Sequence, residues 1–209
     1  MQRYRTVNGY GTAEIVVKKS RFLASVFPAA TEVAALASLE QIRKEHRKAN
    51  HNVYAFSAGT ELTVIRSSDD GEPAGTAGAA VLEVIRQEAL QNTLIVVTRY
   101  FGGTLLGAGG LFRAYGQAAK RGIEAAGTVY KVLHQQFAVE FAYGWLGKIQ
   151  NYLLGCNCVP GSTSYTDIVR MEVMVPKDRA ESFRAEILEL TNGRTKIEVK
   201  GETYLDSDD

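Results

Sequence analysis

Along this chain the apolar positions pass from a strand-like run, through a glycine-rich turn, into a helical stripe, and they do so twice within the first 130 residues. Residues 94–97, LIVV, form an aliphatic run suited to a strand covered on both faces. Gly102, Gly103, Gly107, Gly109 and Gly110 then loosen the backbone, and Leu111, Phe112, Tyr115, Ala118, Ala119 and Ile123 resume at helical spacing. The last glycines are therefore expected at or just before a helix N-terminus, and the helix is expected to end at Ala126 and Gly127. The segment SSDDGEPAGTAG at residues 67–78 repeats this grammar between a strand at 62–66 and a helix carrying Val81, Leu82, Ile85 and Ala89 on one face. Upstream, the pattern predicts strands at 6–7, 12–18, 21–27 and 52–57. It also predicts a helix from Thr31, its N-cap, to about Lys48, with Val33, Leu36, Leu39 and Ile42 buried. Ala58, Gly59 and Thr60 are read as a hairpin between the strands at 52–57 and 62–66.

Residues 128–134 read as a connector, and beyond them the order of elements changes. A strand is expected at 136–141, a helix at 145–154, a turn at Pro160 and Gly161, and strands at 162–166 and 168–175 around Asp167. A helix at 178–190, stopped by Asn192 and Gly193, precedes a last strand at 196–204. The order βαββαβ is that of a ferredoxin-like unit. The chain is thus read as two α+β domains, residues 1–130 and 131–209, with neither a fixed-period repeat nor a low-complexity tract.

Composition narrows the function classes. With 45% hydrophobic and 22% charged residues the chain is of ordinary globular make-up, and no apolar run approaches the roughly 18 residues that cross a bilayer. MQRYRTVNGYG lacks the apolar core of a signal peptide, so a cytoplasmic location is expected. Cys156 and Cys158, the two cysteines, supply neither a disulfide framework nor a four-cysteine zinc site, and are read as incidental small residues near a turn. Net charge is +1, yet residues 1–130 hold 15 Lys+Arg against 11 Asp+Glu, whereas the remainder is acidic and ends in Asp206, Asp208 and Asp209. Any surface for a polyanion is expected on the first domain.

Three groups of residues carry candidate chemistry. Asp69, Asp70 and Glu72 place three carboxylates at one turn, where they could hold a hard cation or could cap the turn and the following helix; Thr76 is a cap or an anion-binding hydroxyl. The glycine segment 102–110, with Arg99, Tyr100 and Arg113 beside it, offers bare N–H groups to an anion at a helix start. It has neither the Lys and Ser/Thr of a Walker loop nor the GxGxxG order, so nucleotide hydrolysis is not supported. Arg43, Lys44, Arg47 and Lys48 form a basic cluster at a helix end which, with Lys120 and Arg121, is a candidate contact for nucleic-acid phosphates. His46 and His51 are more simply hydrogen-bonding groups near turns, and no nucleophile elbow is present.

KKSRF at residues 18–22, HNVYAF at 51–56, SSDDGEPAGTAG at 67–78 and VVTRYFGGTLLGAGGLFRAY at 96–115, in that order, resemble the YigZ/IMPACT family. The resemblance covers about the first 130 residues. It implies a ribosomal protein S5 domain 2-like fold with helices on one sheet face, followed by a small C-terminal domain, the pair being similar to domains IV and V of elongation factor G. Many relatives carry cysteine where this chain has Val53, which removes thiol chemistry at that position. Eukaryotic relatives act on translation initiation by competing for a kinase activator and carry an N-terminal RWD domain, which this chain is expected to lack. The resemblance implies a non-enzymatic, translation-linked regulator that binds RNA, the ribosome or a translation-control protein, with no cofactor, no catalytic residue and no membrane partner. The alternative is a metal-assisted hydrolase or phosphotransferase acting at the Asp69–Glu72 and Gly102–Gly110 turns.

Overall fold

A computed structural model describes residues 3–60 and 62–207, which fall into two units, Arg3–Tyr130 and Lys131–Ser207. Asp208 and Asp209, the end of the expected acidic tail, lie outside the described residues, as do Met1 and Gln2.

The first unit is built on a five-stranded sheet in the order β2-β3-β6-β4-β5, from β2 (Gly11–Val17), β3 (Ser20–Pro28), β4 (His51–Ala58), β5 (Val64–Ser68) and β6 (Thr93–Tyr100), after a short β1 (Arg3–Val7). The central strand β6 is buried from Thr93 to Arg99 because its residues alternate between two cores. Ile95 and Val97 pack with Phe22, Val53, Leu111 and Tyr115 under helices α2 (Gly78–Gln87) and α3 (Ala108–Ala126). Leu94 and Val96 pack instead with Phe56, Leu39 and Ile42 under α1 (Glu32–Glu45). Helices therefore cover both sheet faces, not the single face the resemblance implied, because β3, β6 and β4 are apolar at odd and even positions alike. Each fully buried Leu, Ile or Phe contributes about 1.5–3 kcal/mol, so both layers are substantial.

Helix starts and stops follow local chemistry, with several corrections. Thr31 caps α1 by accepting from the Ala34 N–H at 3.2 Å, but the helix stops at Glu45 and leaves Arg47 and Lys48 in the following turn. Ala35, not Val33, lies in its buried stripe, and Val33 is 78% exposed. The β4–β5 connection is longer than a tight hairpin: Ala58 pairs with Val64, and Leu62 is exposed ahead of the strand. Ala89 follows α2 in a left-handed conformation, φ +50°, instead of lying on the helix. Helix α3 begins at Ala108 on Gly107, whose φ of +73° suits glycine, so Gly109 and Gly110 lie inside its first turn, and Phe112 is half-exposed instead of core.

Helix α2 has no capping side chain of its own at Ala77. Asp69, eight residues upstream, caps it instead, its Oδ1 accepting from the N–H groups of Ala77 at 2.9 Å and Gly78 at 2.8 Å, and its Oδ2 from Gly75 at 2.8 Å. At the other strand-to-helix turn, Gly102 sits so close to the β2–β3 hairpin that an added Cβ would lie 2.1 Å from the Lys19 carbonyl carbon. That hairpin is a two-residue turn of Lys18 and Lys19, φ +45° and +67°, between the paired residues Val17 and Ser20.

The second unit has the order β10-β7-β9-β8, from β7 (Thr128–Phe141), β8 (Val159–Tyr165), β9 (Val169–Pro176) and β10 (Lys196–Ser207), with helices α4 (Leu146–Gly155) and α5 (Ala180–Leu190). This is the ferredoxin-like strand order, and Phe137, Val139, Ile149, Val173, Phe183 and Ile187 form its core. Residues 128–134 are no connector but the first half of β7, which alternates too weakly to read as a strand. Pro160 and Gly161 lie inside β8, where the pairing with β9 shifts register before Thr163, in place of the expected turn. Cys156 and Cys158 are disulfide-bonded and not incidental; their three-residue loop is too short to read as a framework.

Burial opposes ionisation of Asp69, but the N–H groups of Gly75, Ala77, Gly78 and Thr76 outweigh it and hold the carboxyl below its usual range. Its contribution is therefore complete above the unfolded carboxyl value of about pH 4 and is lost as pH falls through the folded value. Asp69→Ala should cost about 1 kcal/mol at pH 7. Urea midpoints of wild type and variant should converge on acidification, and a constant separation would contradict the capping role. Gly102→Ala should cost about 1–3 kcal/mol by forcing apart the β6 end and the β2–β3 turn, and an unchanged melting temperature would show that the close approach is not maintained.

Candidate functional site

Strand pairing brings the four motifs to one end of the first sheet. Because β4 runs antiparallel to both β5 and β6, the latter two run the same way and discharge their turns at the same edge, each into a helix on the same face. The β2–β3 turn and the start of β4 share that edge, since Arg21 pairs with Tyr100 and His51 with Arg99. The Asp69–Thr76 and Gly102–Gly110 turns are thus anchored side by side in one unit.

Glu72 is the joint. Its Oε1 accepts from Arg99 Nη1 at 2.6 Å and from the Tyr115 hydroxyl at 2.7 Å, and His51 Nε2 stands 3.8 Å away. One carboxylate therefore ties the turn before α2 to the end of β6 and to α3. Arg99 was expected to face a bound anion; it is only 4% exposed, donates from its other terminal nitrogen to Ser20 Oγ at 3.3 Å, and stands 5.4 Å from the centroids of the Phe22 and Phe101 rings. Burial, reinforced by the Glu72 carboxylate, pushes the Tyr115 hydroxyl far above its usual range, so it stays a donor.

The remaining acidic groups are also held by hydrogen bonds from the chain, with both carboxylates partly exposed. Asp69 serves the α2 N-terminus, and Asp70 Oδ2 accepts from the Asn52 N–H at 2.6 Å while its Oδ1 stands 3.5 Å from Arg43. His51 Nδ1 donates to the Asp70 carbonyl oxygen at 2.9 Å, which leaves Nε2 facing Glu72. Thr76 Oγ1 donates to the Pro73 carbonyl at 2.6 Å and so closes its own turn. The three carboxylates answer to three different donor sets, and among the described residues no group of three or more His, Cys, Asp and Glu is gathered for a metal.

The basic groups divide differently. Lys44, Arg47 and Lys48 are exposed at the C-terminal end of α1, and Lys18 and Lys19 are exposed at the β2–β3 tip; none of the five forms an ion pair among the described residues. Arg43 is held by Glu40 at 2.8 Å and by Asp70. Lys120 and Arg121 lie on α3, over the opposite sheet face from α1, and Arg121 pairs with Glu124 at 2.8 Å. The six candidate nucleic-acid residues consequently do not form one surface, because the sheet separates their helices. Tyr100 contacts His46 Nδ1 through its hydroxyl at 3.0 Å, Gly103 and Gly107 occupy left-handed turn positions, and Arg113 is exposed on the second turn of α3 near Gly109.

Sequence reasoning overlooked Lys18, Lys19, Ser20, Asn50 and Tyr115. KKSRF was a motif signal for the first three. Nothing in Tyr115, which sits on the apolar stripe of α3, distinguished it from an ordinary core aromatic.

Residues 18–123 match the Impact N-terminal domain, and residues 139–194 match a domain of unknown function, DUF1949. The chain is 39% identical over 206 residues to IMPACT family member YvyE of Bacillus subtilis, covering 99% of this chain and 95% of that one. It is 32% identical to IMPACT family member YigZ of Escherichia coli, over 87% and 90% of the two chains. A crystal structure described as that of an hypothetical protein superposes with a TM-score of 0.63 at 30% identity, over 94% of this chain and 97% of the other. Protein IMPACT homolog of Saccharomyces cerevisiae is 32% identical over 54% of this chain and 45% of its own length. Four motifs converging on one sheet edge, a βαββαβ second unit and end-to-end similarity to bacterial relatives place this chain in the IMPACT family.

Proposed function

We propose that this protein is a non-catalytic, cytoplasmic regulator of translation that binds RNA, free or within the ribosome, through the edge of the first sheet where the two strand-to-helix turns meet. The observation that carries the reading is the separation of charge at that edge. Asp69, Asp70 and Glu72 are spent on internal donors, while Lys18, Lys19, Lys44, Arg47 and Lys48 stand exposed and unpaired among the described residues. Such an edge attracts phosphate without reading bases. Membership of the IMPACT family supports a role in translation, and a translation-control protein with an acidic surface is the other partner this edge would suit. Among the described residues no helix is long and apolar enough to cross a membrane. Carboxylates already held by protein donors give a metal-assisted hydrolase or phosphotransferase no free oxygen cluster to use, which favours binding over catalysis.

The test compares two sets of charges on opposite sheet faces. Replacing Lys44, Arg47 and Lys48 by Gln should weaken RNA binding about tenfold or more near physiological salt, and should flatten the plot of log affinity against log salt by about 0.7 for each phosphate no longer neutralised. Replacing Lys120 and Arg121 by Gln should leave both nearly unchanged. Fluorescence anisotropy at two salt concentrations reads the difference, and equal losses in the two variants would show that the polyanion is attracted by overall charge and not by this edge.

A further inference from the structure

Large apolar side chains are exposed at this edge, and one of them, Phe101, has its backbone hydrogen-bonded to a neighbouring segment. Phe101 follows β6 directly and is 45% exposed. Its backbone N–H donates to Asn50 Oδ1 at 2.8 Å, and the next N–H, of Gly102, donates to Ser20 Oγ at 3.1 Å. Behind the ring stands the buried Arg99 guanidinium, 5.4 Å from its centroid and itself locked by Glu72. The backbone at Phe101 is thus pinned while the residue stays half-exposed, which keeps an aromatic face available to a ligand.

Its neighbours indicate what that is. On one side, Gly102, the residue after Phe101, lies against the backbone of Lys19 at the Lys18–Lys19 tip. Those two lysines occupy left-handed positions where Asn and Gly are the usual residues, so the turn accepts backbone strain in order to carry charge. On the other side, Asn50 Oδ1 accepts from the Phe101 backbone N–H, so the segment bearing Arg47 and Lys48 meets the chain at this residue. An exposed aromatic on a pinned backbone, between two segments that carry unpaired cations, suits a nucleic acid whose bases are free: one base stacks on the ring and the flanking phosphates meet the cations. A duplex, with its bases already stacked and paired, has no free base face to offer.

We infer that Phe101 is a stacking platform, and that the nucleic acid bound at this edge is single-stranded RNA, lying with its backbone between the Lys18–Lys19 tip and the end of α1. This rests on the RNA-binding function proposed for the edge and adds to it the ligand's strandedness and the aromatic residue that selects it.

The experiment uses the full chain and a fluorescein-labelled, unstructured RNA of about twelve nucleotides. It is run beside the same strand annealed to its complement, and beside inorganic polyphosphate as a polyanion without bases. Phe101→Ala should weaken single-strand binding about tenfold while leaving polyphosphate binding unchanged, and the duplex should compete poorly with the single strand. Phe101→Trp in a Trp145→Phe background should retain affinity, and its fluorescence should be quenched by the single strand alone; this variant keeps the aromatic contact to Arg99 and guards against a misfolded alanine variant. Wild-type affinity that is equal for single strand and duplex, or unchanged by Phe101→Ala, overturns the stacking platform while leaving the charge-based RNA reading in place. Wild-type protein that binds polyphosphate but neither RNA, or an acidic protein surface in preference to RNA, overturns both.

Discussion

The edge that carries the proposed function depends on a single buried ion pair, Glu72 with Arg99. Taking both charges out of water costs several kcal/mol each, so the pair is a poor source of stability compared with apolar residues of the same volume. Once built, however, it is costly to break, because removing either partner leaves an uncompensated charge, a loss of about 3–5 kcal/mol. Glu72 arrives on the turn after β5, Arg99 on the last turn-facing position of β6, and Tyr115 on α3. Glu72 is thus the point at which a loop, a strand end and a helix are held in register. The guanidinium is 5.4 Å from the centroids of the Phe22 and Phe101 rings and almost fully buried, and the low local dielectric strengthens the pair.

Electrostatics at the surface follow from this arrangement. Glu72 is drawn inward, Asp69 serves as a cap and Asp70, still partly exposed, is fixed on the Asn52 amide, so each of the three negative charges at the sheet edge is met by donors of the protein itself. The lysines of the β2–β3 tip and of the α1 end then dominate what a ligand meets, even though the whole chain carries a net charge of only +1. A chain so nearly neutral can still present a local polyanion surface when its carboxylates are spent internally and its cations are not.

Periodicity made much of this molecule legible. The Thr31 cap, the two strand–turn–helix passes and the βαββαβ second unit are local consequences of spacing, of glycine and of capping side chains, and they read directly from the chain. What could not be read were facts of pairing. Nothing local says that α1 covers the opposite face from α2 and α3, because β6 is apolar at every position from Leu94 to Val97 and offers a core on either side. For the same reason Lys44 and Lys120 looked like members of one basic set until the sheet was found between their helices. Arg99 looked like an exposed cation beside a glycine turn, and only the parity of β6 and the reach of Glu72 make it an interior one. Lys18 and Lys19 looked like ordinary strand-end charges, and their weight comes from the register that folds Gly102 against them.

The central claim is that Glu72 holds both turns at once, and native-state amide hydrogen exchange on wild type and Glu72→Gln tests it most directly. Protection is predicted to fall together at the Asn52, Gly75, Ala77 and Gly78 amides and at the Phe101 and Gly102 amides, while the core strands β7 and β9 of the second unit keep theirs. Loss confined to the Asp69–Gly78 turn, with Phe101 and Gly102 as protected as in wild type, would contradict the account, since the two turns would then be independent.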